Sequence, residues 1–281
     1  MSATADATAD KGLAALKRRA LSLSAANAFD YGVQFMLPIV LARCLDPDAF
    51  GQYRLMWLVV MTVMAIAPMS MPQGLYYFLP RSQPSEKRLY INQAVLFLAF
   101  AGLVSAWLVS PWNPFLPSGA GALVEFGALV PAFVVLWVTT CLLDLLPTVE
   151  ERVRLQAGIT ISMSALRAIA LSAGAFLTGD LKVLIWLLVA LMLLKLCLLL
   201  GYIVRFHGLR GPWFERKAFA DQVRHAAPFG ASSGLYGLRS QADQWVAASV
   251  FSLGSFAAFS VAAVLGPLVN LFRQSVNHSF L

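Results

Sequence analysis

Eight long apolar runs separated by short polar segments organise the chain: residues 21–44, 55–79, 89–110, 122–147, 155–178, 183–204, 226–250 and 256–279. An α-helix needs about 20 apolar residues to cross the hydrocarbon core of a bilayer, and every run meets that length. The runs are continuously apolar, as from Leu184 to Leu194, without the alternation that a β-barrel requires. A span must satisfy its own backbone polar groups, so each run is predicted to be helical. The pattern thus predicts an all-α, polytopic transmembrane helix bundle. Pro68 and Pro72 in the second run and Pro131 in the fourth remove backbone donors and are expected to bend their helices. The first run contains Asp30 and lacks a small-residue cleavage site, so it reads as a retained helix rather than a secretion signal.

Composition sharpens this picture. Hydrophobic residues make up 59% of the chain and charged residues 12%, against about 25% charged in soluble domains. A soluble fold is excluded. The net charge of +7 does not point to nucleic acid, because the basic residues lie in short segments between the runs. Fourteen of the 21 Lys and Arg residues fall in the tail, near 81–88, near 152–154 and in 205–224; Arg43, Arg54 and Lys182 lie on the opposite side. This bias predicts a cytoplasmic amino terminus in a multi-pass protein of the cytoplasmic (inner) membrane. Residues 1–20 read as a cytoplasmic tail. The opposite-side connections are short and leave no room for a catalytic domain. Cys44, Cys141 and Cys197 show no disulfide or metal-ligand spacing, and neither do His207, His225 and His278. No metal, no cofactor and no enzymatic activity are expected. Trp57, Trp107, Trp112, Trp213 and Tyr202 fall near run ends, as an interfacial belt would.

An internal repeat appears at an offset of 206 residues, which lays the first helix hairpin on the seventh and eighth runs. Val40 then matches Val246, Phe50 matches Phe256, and Tyr53 matches Phe259. The turn between the first two runs, LeuAlaArgCysLeuAspProAspAlaPheGlyGlnTyr at 41–53, resembles that of the O-antigen and polysaccharide flippases. These belong to the multidrug/oligosaccharidyl-lipid/polysaccharide exporter superfamily. The span pattern, the connection after the sixth run and Asp243 in the seventh continue the likeness. The resemblance implies twelve to fourteen helices in two lobes, so a chain with eight is expected to be a fragment. On that scheme 21–204 forms a six-helix lobe, 205–221 an inter-lobe linker, and 222–281 the first hairpin of an incomplete second lobe. The implied cargo is an undecaprenyl-pyrophosphate-linked oligosaccharide flipped across the membrane by alternating access.

Several polar residues lie deep in these runs. Asn27, Asp30 and Gln34 share one face of the first helix, either a cavity wall or an interhelical hydrogen-bond seam. Arg239 and Asp243 are four residues apart in the seventh and could pair or act as a switch. Arg167 and Lys195 lie near the middle of the fifth and sixth runs. Counting Arg167, Lys195 and Arg239 against Asp30 and Asp243 leaves a positive excess that suits a pyrophosphate. Asn27, Asp30, Gln34, Arg167 and Arg239 are therefore candidate substrate contacts, and Asp243 a coupling or gating residue for protons or sodium. Glu125, Asp144 and Arg273, near run ends, read as anchors. The alternatives are a cation-coupled multidrug exporter, a non-transport subunit that works with polysaccharide-assembly proteins, or a polysaccharide polymerase or ligase.

Overall fold

The computed structural model describes residues 2–113, 118–208 and 211–264. Most of the eighth run and Arg273 lie outside the described residues. Among the described residues ten α-helices follow in order: α1 (Ser2–Cys44), α2 (Pro47–Ile66), α3 (Met71–Phe78), α4 (Pro84–Leu108), α5 (Leu129–Thr140), α6 (Leu146–Val149), α7 (Val153–Thr178), α8 (Leu181–His207), α9 (Arg216–Val250) and α10 (Leu253–Val264). Among the described residues there is no strand, so the all-α bundle holds. Five stretches are long and apolar enough to cross a membrane: Pro47–Arg81, Glu86–Leu108, Leu129–Val149, Val153–Thr178 and Leu181–His207. Helices α1 and α9 are not among them, because their polar positions dilute the apolar pattern.

Proline placement differs from expectation in an instructive way. Pro68 does break its span: α2 stops at Ile66, and Met69 and Ser70 adopt left-handed φ values of 45° and 54° before α3 resumes. Such values are strained for residues with a Cβ and persist only where packing holds them. Pro131 causes no bend, since it lies in the first turn of α5, where a backbone N–H has no intrahelical partner to lose. Pro38 and Pro228 are the prolines inside helices, in α1 and α9.

The chain turns at two ends. Asp46, Gln52, Glu125 and Asp180 gather at one end. At the other, Tyr202 donates to Glu150, and α4 grips the segment joining α8 to α9. There Arg88 donates to the carbonyls of Ile203 (3.3 Å) and Gly208, Asn92 to Pro212 (2.9 Å) and Gln93 to Glu215 (2.7 Å). Gly208, Pro212 and Glu215 are thereby fastened to α4.

The offset of 206 recurs in the backbone. Helices α1 and α2 break after Cys44 and restart at Pro47; α9 and α10 break after Val250 and restart at Leu253. Asp46 caps α2, its Oδ1 accepting from the N–H groups of Asp48 (3.0 Å) and Ala49 (2.9 Å). Ser252 holds the matching place before α10: its carbonyl accepts from Phe256 N–H at 2.8 Å, as that of Asp46 accepts from Phe50 at 2.9 Å. Equivalent positions of the two hairpins also touch. Gly254 lies against Asp48, and Arg54 donates to Ser260. Matching positions of the two hairpins thus meet where α2 packs against α10.

Packing follows bilayer rules, where close contact between small residues replaces the hydrophobic drive available in water. A Cβ at Gly230 would lie 2.6 Å from the Met69 carbonyl oxygen, and one at Gly237 would collide with Ala65, so α9 seats directly on the broken span. Phe133, Leu55, Met56, Ile91 and Leu142 fill the interior, while Phe100, Phe176, Leu177 and Trp186 point outward as a lipid-facing surface would.

Candidate functional site

Two cavities lie between α1, α2, α5, α7 and their neighbours, and Gln34, Trp137 and Arg167 line both. The larger, about 450 Å³, brings Asn27, Asp30 and Gln34 of α1 against Ser164 and Arg167 of α7. Arg167 Nη2 meets Asp30 Oδ1 at 2.9 Å, Ser164 donates to the same oxygen, and the Gln34 amide donates to Oδ2 at 2.6 Å. The polar stripe is thus both cavity wall and interhelical seam. Opposite it, the 3-10 turn Cys141–Asp144 swings Asp144 toward α8, where it pairs with Lys195 at 2.7 Å. Asp144 is therefore not a lone interfacial anchor. Nor does this cavity carry the positive excess that counting deep charges predicts, because each cation has its own carboxylate.

The smaller cavity, about 210 Å³, is built differently. Arg54 and Arg167 line it with Gln34, Gln241 and Gln244, and its aromatic wall is Tyr53, Trp57 and Trp137. No carboxylate is among its lining residues. Trp57 and Trp137 meet edge to face, with centroids 5.1 Å apart. Trp57 is therefore a cavity residue, whereas Trp107, Trp112 and Trp213 are exposed as a belt requires. Arg54 is no loop charge. It lies in the second turn of α2, where Nε donates to Ser260 Oγ at 2.9 Å and Nη2 to the Ser260 carbonyl at 3.2 Å. Arg167 Nε is buried without a hydrogen-bond partner, which leaves donor capacity beside the cavity.

Chemically, this cavity offers two guanidiniums for phosphate oxygens, three amides for hydroxyl groups and aromatic faces for sugar rings. Residues 16–277 match the family described as polysaccharide biosynthesis protein. The chain belongs to that family. Searches of curated proteins and of solved structures found no match. With its long apolar helices, this family member is a multi-pass membrane protein of polysaccharide biosynthesis.

Of the residues singled out in the sequence, Asn27, Asp30, Gln34 and Arg167 come together. Arg239 and Asp243 do not join them. Both are exposed on α9, no ion pair links them among the described residues, and neither lines either cavity; the Asp243 carboxylate accepts from the adjacent Gln244 N–H at 2.9 Å. The face of α9 that reaches the cavity carries Gln241 and Gln244 instead. Sequence reading missed Arg54 because its run was begun at residue 55, although the Asp46–Pro47 cap signal places the helix start eight residues earlier.

Proposed function

We propose that the protein carries the saccharide head group of a polyprenyl-pyrophosphate lipid across the cytoplasmic membrane. The head group sits in the acid-free cavity while the lipid tail stays in the bilayer. The observation that carries this is the pairing of Arg54 and Arg167 beside Gln and Trp side chains with no carboxylate to neutralise Arg54. A drug exporter for cations would need the opposite sign. The amino terminus is taken as cytoplasmic, with the Glu150 end inside and the Asp46 end outside. Asn27, Asp30 and Gln34 line the route by which the head group arrives, and the ion pairs there keep that route neutral. Whatever ion drives the cycle, Asp243 on the exposed face of α9 remains the candidate proposed from the sequence.

The test is complementation of cells lacking their own flippase, read as accumulated lipid-linked saccharide. Arg54→Gln should cut transport about 10- to 100-fold, the value of one hydrogen bond to a charged group. Arg54→Lys keeps the charge but loses the planar fork, so it should retain part of the activity. Full complementation by Arg54→Gln and by Arg167→Gln, at normal membrane levels, removes the head-group role.

A further inference from the structure

Arg54 faces two partners. Its side chain lines the acid-free cavity, yet its guanidinium is held on the other side by the hydroxyl and carbonyl of Ser260. Ser260 is fully buried, and its own hydroxyl donates to the Ala257 carbonyl at 2.8 Å, which leaves an oxygen lone pair to accept from Arg54. Among the described residues no carboxylate lies within ion-pair range of Arg54. Its present partners are neutral. Both seats take charge-assisted bonds from the guanidinium, but a phosphate adds an opposite full charge and a bidentate fit that the neutral oxygens of Ser260 lack, so an anion in the cavity outcompetes Ser260.

What the Ser260 seat holds together is the contact between α2 and α10 at the Asp46 end. That contact is close. Gly51 takes the Leu253 backbone where any Cβ would collide, and Gly254 lies against Pro47 and Asp48. The bonds from Arg54 to Ser260 are the side-chain hydrogen bonds across it among the described residues. These contacts lie together along the α2–α10 boundary, so a rotation of one hairpin against the other disturbs them together.

We infer that Arg54 is a latch that exchanges Ser260 for a pyrophosphate group, so that filling the cavity releases α10 from α2. This rests on the head-group reading of the cavity. One guanidinium with two alternative seats couples ligand binding to the parting of the helices, and the coupling is reciprocal. Fastening α2 to α10 weakens binding, and weakening the Ser260 seat strengthens it.

The experiment uses the full chain with Cys44, Cys141 and Cys197 changed to alanine, carrying Pro47→Cys and Gly254→Cys. A Cβ at Gly254 lies 3.5 Å from the Pro47 Cβ, within disulfide range. The rate of disulfide formation in membranes is measured with farnesyl pyrophosphate, with uncharged farnesol and without ligand, alongside equilibrium binding of radiolabelled farnesyl pyrophosphate. Farnesyl pyrophosphate, but not farnesol, should slow cross-linking about five-fold or more, as expected for a coupling of typical size. Ser260→Ala, in the chain without the added cysteines, should bind farnesyl pyrophosphate several-fold more tightly, a gain that a merely structural serine would not give. If Ser260→Ala does not fold, the ligand dependence of cross-linking decides alone. Binding with unchanged cross-linking overturns the latch and leaves the head-group reading standing. Failure of farnesyl pyrophosphate to bind overturns both.

Discussion

The two cavities share Gln34, Trp137 and Arg167, yet they treat charge in opposite ways. In the larger, Asp30 answers Arg167 and Asp144 answers Lys195. In the smaller, Arg54 is left with a serine. A cation deep in a membrane protein is costly unless paired or hydrogen-bonded, so a fold that keeps Arg54 without an acid holds binding capacity in reserve. The paired cavity uses its charges to join helices. The difference cannot be read from the number of ionisable residues in a span, only from which of them meet.

The strongest way to break this comparison is to remove Asp30. The Arg167 side chain is only 13% exposed, so Asp30→Ala strands a cation and removes its ion pair and the Ser164 bond from the α1–α7 seam. A fully buried pair broken this way costs about 3–5 kcal/mol; with Asp30 itself 26% exposed, we expect about 2–3 kcal/mol, read as a lowered Tm in detergent. Adding Arg167→Gln should recover part of the loss, as coupled neighbours do. Arg54→Gln removes no ion pair but loses charge-assisted bonds to Ser260; it should cost about 1.5 kcal/mol, less than Asp30→Ala, while damaging transport most. Equal thermal damage from Asp30→Ala and Arg54→Gln would erase the distinction between the cavities.

A smaller effect separates the two pairs inside the larger cavity. The Lys195 side chain is 10% exposed but Asp144 is 55% exposed, so water already screens that bond. Asp144→Asn should cost about 1 kcal/mol at most, in the range of exposed pairs. Lys195 keeps its contact with the Trp137 ring, 5.7 Å from the centroid. A Tm loss matching that of Asp30→Ala would show that Asp144 is far better shielded than its exposure indicates.

Much of this architecture was legible from the residues. Continuous apolar runs specify spans because a bilayer allows little else, and the Asp46–Pro47 cap marks the first turn. The 206-residue offset, weak as letters, reappears as matching helix breaks and as touching equivalent positions. The face shared by Asn27, Asp30 and Gln34 follows from helical spacing alone. The partners of Asp30, Lys195 and Arg54 did not, because Ser164, Asp144 and Ser260 reach their places through tertiary packing, and Asp144 through a 3-10 turn that hydropathy cannot show. Arg239 and Asp243 misled for a related reason. Four-residue spacing permits an ion pair on a helix, but the pair must compete with water and with backbone groups, and Asp243 bonds its own neighbour instead.

The smallest expected effect comes from a third ionic cluster, outside both cavities, that calibrates what pairing alone does. Glu150, in the turn between α6 and α7, accepts from Tyr202 and lies 2.7 Å from His207 Nε2 and 3.7 Å from Arg152 Nε. Burial by itself would raise its pKa, but the contacts from His207 and Tyr202, with the charges of His207 and Arg152, outweigh burial and hold it below the usual carboxylate value. The native carboxyl therefore gives up its proton at a lower pH than the unfolded one, and acid shifts protons onto the unfolded chain. The stability this group contributes is fully present above about pH 4.3, the ordinary glutamate value, and is lost as pH falls through the lower native value. Glu150→Gln should accordingly lower Tm slightly at neutral pH, and its curve should converge with the wild type below about pH 4 as the native carboxyl protonates. Transport by this variant should stay near wild type, since Glu150 lines neither cavity. Curves that stay parallel into acid would show that Glu150 is not held ionised by its neighbours. A transport loss as large as that of Arg54→Gln, at unchanged Tm, would move the functional site away from the acid-free cavity and toward the Glu150 end.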